Sequence, residues 1–210
     1  MGTVLLKALS FVLIIVLGYV LKKLVFKNPK DHQIVAFILL NVTLPATVIH
    51  AFGTFRRDAS LFLIIAIGFL CAVIPMLFVY LISRHQKKDK RAFSMINVCG
   101  FNIGCFALPF VQNFFGPGGM IIACLFDIGN AFIVTGGSFA FTSTVLQTNP
   151  DEKQSVGTLL KKFVSSIPFD TYMLMLVLVM LNIPVPDVVI TLVEPIASAN
   201  SFFALLLIGM

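Results

Sequence analysis

Charge is what this chain has least of. Only 11% of its 210 residues are Asp, Glu, Lys or Arg, where a soluble domain carries about 25%. Hydrophobic residues make up 59%, and the mean hydropathy is +1.02. The shortage argues against a soluble domain and places the chain in a bilayer. The net charge of +6 comes from Lys and Arg gathered in loops, so it is no sign of nucleic-acid binding. Metal-ligand spacing is missing too. Cys71, Cys99, Cys105 and Cys124 fall inside apolar segments with no histidine at ligand spacing. That argues against a metal site or a disulfide framework and leaves them as buried small hydrophobes. Nucleophile–base pairs and phosphate-cradling glycine loops are absent, so no enzyme and no cofactor is expected. A cleaved signal peptide is not expected, because Lys22 and Lys23 follow the first apolar stretch rather than precede it.

Long apolar stretches are what the chain has most of. A spanning helix needs about 20 mostly apolar residues, and seven stretches meet that template: 4–21, 33–53, 60–83, 92–115, 119–146, 164–183 and 187–210. An all-α integral membrane protein with about seven transmembrane helices is expected. The basic loops set its orientation. Lys22, Lys23, Lys27 and Lys30 follow the first stretch. Arg84, Lys87, Lys88, Lys90 and Arg91 follow the third, and Lys153, Lys161 and Lys162 the fifth. Only Lys7, Arg56 and Arg57 fall on the other side. Cytoplasmic loops are the basic ones, so the N-terminus faces outward, by default across a plasma membrane. His32 and His85 in basic loops, and His50 near the outer end of the second stretch, read as interfacial. The run at 84–91 reads as a solvated loop beside anionic headgroups.

The fourth stretch, AFSMINVCGFNIGCFALPFVQNFF, is apolar enough to span yet interrupted in its middle. Asn97, Gly100, Asn102, Gly104 and Pro109 stand where a plain anchor would carry Leu and Val. Pro109 has no N–H and frees the carbonyl four residues earlier, which costs several kcal/mol in hydrocarbon unless satisfied. Broken helices at mid-membrane are tolerated where they line a cavity, and they point to a transporter's binding site. Asn102 is the expected direct ligand, since a carboxamide can donate to a carboxylate. The half-helix around residues 110–115 is expected to offer free N–H groups to an anion. Gly100 and Gly104 are spaced for close helix packing, and so are Gly136 and Gly137. In the fifth stretch Asp127, with Asn130, is a buried ionisable group costing about 2.5–3.5 kcal/mol at helix centre. It would bind a cation, carry a proton or hold the broken helix in place. Asn41 and Pro45 are expected to bend the second stretch. Glu194, just before Pro195, is placed near the outer interface.

Residues 4–52 and 163–210 share a coarse pattern of span, short link and polar-broken span. Their opening members face opposite ways, as in a five-plus-five inverted repeat. Four stretches then resemble the auxin efflux carrier family: GYVLKK (18–23), LLNVTLPATVI (39–49), NIGCFALPF (102–110) and FDIGNAF (126–132). The third matches the family's N-x-G-x-x-x-x-P element and the fourth its D-x-x-N element. The resemblance implies a first five-helix repeat plus the first two helices of an inverted second repeat, with a crossover at the fourth helix. Residues 1–58 would be scaffold helices one and two, and 59–147 half of the crossover domain. Residues 148–162 would form a cytoplasmic loop and 163–210 scaffold helices six and seven. The second half of the crossover domain is not among the 210 residues, and Phe202 stands where the family places a seventh-helix proline. Alternating-access transport of small organic anions is implied, of malate-like, malonate-like or auxin-like carboxylates. H+ or Na+ would be the coupling ion, and a homodimer through the scaffold helices a candidate assembly. Substrate would meet Asn102, Gly104, Pro109, Asn41 and Pro45, with Asp127 and Asn130 beside them. The competing class is a seven-helix sensor or accessory subunit, which has no need of a polar break facing an acid.

Overall fold

In a computed structural model the described residues are 2–28, 30–53, 55, 60–147 and 165–210. They are mostly helical and contain no strand. The loop lysines at 153, 161 and 162, Arg56, Arg57 and the whole of the expected loop 148–162 lie outside them. The helices are α1 (Gly2–Leu24), α2 (His32–Ile38), α3 (Leu44–Gly53), α4 (Ser60–Ile82), α5 (Lys88–Val98), α6 (Leu108–Phe132), α7 (Ser138–Leu146), α8 (Ile167–Met180) and α9 (Asp187–Gly209). Five continuous helical runs are long and apolar enough to cross a membrane: Gly2–Leu24, His32–Gly53, Phe62–Ile82, Ile103–Leu146 and Asp187–Gly209. Ile167–Met180 is apolar but shorter. This is an all-α protein with membrane-spanning helices.

Three five-residue wide turns, with hydrogen bonds reaching back five residues instead of four, interrupt the runs: Leu39–Thr43, Ile103–Ala107 and Ile133–Gly137. The first two end alike. Leu44 N–H bonds to the Leu39 carbonyl and Leu108 N–H to that of Ile103, and a proline follows each time, Pro45 and Pro109. Proline has no N–H to give, so it sits where the hydrogen-bond register changes and little is lost. Pro45 therefore widens the second stretch without breaking it. Pro195 lies within an α9 that runs unbroken from Asp187 to Gly209.

Ile103–Leu146 is 44 residues long, about 66 Å if straight, twice the ~30 Å hydrocarbon core. It is not straight. Gly116 has φ 66° and ψ −162°, a conformation that favours glycine. A Cβ on Gly119 would lie 3.2 Å from Val111 Cγ1, whereas eight residues of helix would hold the two apart by about 12 Å. The chain doubles back at Gly116.

The chain divides into two compact units. The first comprises Met1–Arg57, Asn102–Cys124 and Thr171–Met210. Here α9 packs on α1 and on α3, with Gly18 and Gly209 at the α1 crossing, where an added methyl on either would overlap a backbone oxygen. Phe11 of α1 wedges between Phe110 and Phe114, ring centroids 5.0 and 5.7 Å away, and Lys7 Nζ donates to the Asn113 carbonyl at 2.8 Å. Hydroxyls join α3 and the wide turn before it to α9. Thr47 Oγ1 lies 3.3 Å from the Ala197 carbonyl and Thr43 Oγ1 3.0 Å from Asn200 Oδ1. The second unit comprises Asp58–Phe101 and Leu125–Asp170. Met76, Met95 and Leu146 bring α4, α5 and α7 together in its core. At the start of α5 the Arg91 guanidinium stacks 4.3 Å from the Tyr80 ring centroid and donates to the Tyr80 carbonyl.

Candidate functional site

The interruption of the fourth stretch lies upstream of the position expected from Pro109. Helix α5 ends at Val98, and Cys99 is extended (φ −99°, ψ 144°). Gly100 has φ 91°, where a side chain would be strained and its Cβ would strike Val134. Asn102 (φ −83°, ψ 73°) then caps the next helix. The free N-terminal end is therefore at Ile103–Cys105 rather than around residue 110. A proline tolerates the first turns of a helix and does not create the break.

Two carboxamides compensate the broken backbone. In the second unit, Asn130 of α6 reads both main-chain groups of Phe101. Its Oδ1 accepts from Phe101 N–H at 2.8 Å and its Nδ2 donates to the Phe101 carbonyl at 2.8 Å. The other Nδ2 hydrogen goes to Asp127 Oδ1 at 2.9 Å. Asp127 and Asn130 are both buried, one helical turn apart, so the acid fixes which way the amide faces. Asp127 thus serves the break through Asn130. In the first unit, Asn102 Oδ1 accepts from Cys105 N–H at 3.2 Å, an N-cap. Its carbonyl takes both Phe106 and Ala107 N–H. No hydrogen bond of the described residues reaches Asn102 Nδ2 or the N–H groups of Ile103 and Gly104. These donors stand at the positive end of a helix dipole, an arrangement suited to an anion.

The remaining expected residues fall as follows. Gly104 is buried and abuts the end of the Leu44 side chain. That contact brings the two Leu–Pro turns together within the first unit. Pro109 is buried, and its carbonyl accepts from Asn113 Nδ2 at 2.8 Å. Asn41 turns back to the Phe37 carbonyl at 2.9 Å, so its amide serves the wide turn of its own helix. Pro45 is buried in α3. Glu194 is exposed, and its carbonyl accepts from Ser198 Oγ. The Gly136–Gly137 pair, expected as packing, instead interrupts the helix: Gly136 leaves helical geometry inside the third wide turn. Sequence reasoning missed Phe101, which contributes only main chain, and Gln112, a polar residue one turn past Pro109 in an apolar setting. Among the described residues no His, Cys, Asp and Glu group is arranged to hold a metal. No family model, curated protein or solved structure matches the chain.

Proposed function

We propose that this chain is a secondary-active transporter of small organic anions, of the type the auxin efflux carriers exemplify. In this reading the apolar runs make seven spans, with the N-terminus outside and the basic loops in the cytoplasm. Helices one, two, six and seven form the scaffold and helices three to five half of the moving domain. The observation that carries the reading is the polar interruption at residues 99–102. A plain anchor or a signalling bundle gains nothing from unbonded donors at the centre of an apolar run, where each costs free energy. A carboxylate at Asn102 Nδ2 and the Ile103–Gly104 N–H pair would satisfy them. Asp127 and Asn130 would hold the main chain of Phe101, and Asp127 would be the group through which H+ or Na+ couples.

Proteoliposomes given labelled malate or malonate test this. Wild type should accumulate label. Asn102→Ala removes a cap worth about 1 kcal/mol and a ligand donor, and should cut uptake at least about tenfold. Asp127→Asn, assayed at several pH values, should change both rate and pH profile; unchanged uptake and profile would remove the acid from the mechanism. No uptake of any small carboxylate by wild type would overturn the reading.

A further inference from the structure

Above the Ile103 turn, the first unit holds a cavity of about 190 Å3 lined by Thr47, His50, Ala51, Gln112, Gly116, Pro117, Met120 and Ala197. That is several water volumes at ~30 Å3 each. Its chemistry follows from the bonds around it. The Pro109 carbonyl can only accept, so Asn113 presents Nδ2 to it. The same nitrogen lies 3.3 Å from Ser201 Oγ and donates there. The Ser201 hydrogen is then left for Gln112, which must offer Oε1, at 2.8 Å. Gln112 Nε2 is therefore an N–H2 group with no partner among the described residues. His50, across the cavity, has no hydrogen-bond partner among the described residues either. Thr47 Oγ1 gives its hydrogen to the Thr43 carbonyl at 2.8 Å or to that of Ala197, and keeps its lone pairs. One turn along the same seam, Asn200 is fully buried with its Nδ2 unpaired. Turning that amide over would orphan its oxygen instead. This wall holds more hydrogen-bonding capacity than the protein uses.

We infer that the cavity is a second carboxylate subsite, at which Gln112 Nε2 and the His50 ring grip a small organic acid about 13 Å along the helix from the Ile103–Gly104 donors. Fixed donors at a wall of Ala, Met and Pro suit a short carboxylate with an apolar or hydroxylated stem. Gly116 and Pro117 line the cavity on the side of Gln112 farther along the chain from Ile103, so an acid entering from that side meets Gln112 before it meets Asn102. The identity of the ligand as cargo rests on the transporter reading; the carboxylate preference of the cavity does not.

Gln112→Glu is the decisive variant. It keeps the volume and the oxygen that Ser201 needs, and turns the free donor into a negative acceptor. His50→Gln is the second variant, should the first not fold. Two readouts are used. One is KM for labelled malate from each face of oriented proteoliposomes. The other is alkylation of Met120→Cys by iodoacetate against iodoacetamide, read peptide by peptide by mass spectrometry. These reagents differ by a carboxylate. Gln112→Glu should raise KM about tenfold from the Gly116 face alone, with kcat retained, and should lower the iodoacetate preference at position 120 by a similar factor. Uptake with KM and alkylation unchanged by either variant overturns the subsite and leaves the transporter standing. A wild type without uptake, together with an iodoacetate preference in Met120→Cys that Gln112→Glu abolishes, overturns the transporter and keeps the subsite. No uptake by wild type together with no iodoacetate preference in Met120→Cys overturns both.

Discussion

Asn130→Leu should release the chain at the break and cost about 3 kcal/mol of stability. Three hydrogen bonds disappear together, two to Phe101 and one to Asp127. The net worth of each is about 1 kcal/mol, and the groups left behind carry their desolvation penalty. The asymmetry of the clamp sharpens the test. Asn130→Asp keeps an acceptor for Phe101 N–H but gives up both donations and sets a second carboxylate beside Asp127, so it should fare no better than leucine. Denaturant unfolding in bicelles gives the stability, and hydrogen exchange at the Phe101 amide gives the locality. A leucine variant within about 0.5 kcal/mol of wild type, with that amide still protected, would remove Asn130 from its role as the clamp.

The largest packing effect is expected at the crossing of α4 and α6. Gly68 and Gly129 face one another there in the second unit. A methyl on Gly68 would overlap the Phe126 carbonyl oxygen. One on Gly129 would overlap the Ile65 carbonyl oxygen and lie 2.6 Å from Phe69 N. These obstacles are main chain and cannot rotate aside. Gly129→Leu should therefore cost about 3 kcal/mol or more, at the upper end of overpacking penalties, and should abolish folded yield in detergent. Two glycines grade the series. Gly104→Ala would meet Leu44 Cδ2 at 2.8 Å, the far end of a flexible side chain, and should cost no more than about 1.5 kcal/mol. Gly118 has nothing within 4 Å of its added carbon, so Gly118→Ala should stay within about 0.5 kcal/mol. A flat response across the three would mean that the helices do not cross this closely.

The membrane-helical class was legible because it rests on composition and on the length of apolar runs, quantities any register preserves. The hairpin at Gly116 was legible for the same reason, since 92–115 and 119–146 could not both fit one bilayer thickness. The location of the break was not. Proline drew attention to residue 109, yet the main chain departs from helix at Gly100, whose positive φ the composition does not advertise. The wide turns were likewise hidden, because a hydrogen bond reaching back five residues rather than four leaves little trace in hydropathy. Their shared signature, a five-residue turn followed by Leu–Pro, emerges once the two backbones are compared. Asp127 and Asn130 were readable as costly polar groups in hydrocarbon. Their division of labour, one residue gripping Phe101 and the other steering the grip, needed coordinates. Gln112 was missed because a lone glutamine near a helix end is unremarkable until the Asn113 amide and the Ser201 hydroxyl dictate which way it faces.

The Leu–Pro turns carry one more implication. A π-type turn stores a surplus residue, and in principle that surplus can slip along a helix by exchanging one hydrogen bond at a time. Here it is parked. Pro45 and Pro109 cannot supply the amide that the next exchange would need, so the surplus cannot travel towards Thr47 in one helix or Gln112 in the other. The faces that carry those two side chains keep a constant phase whatever happens upstream, and any motion of either segment must be a swing about its turn rather than a screw through it.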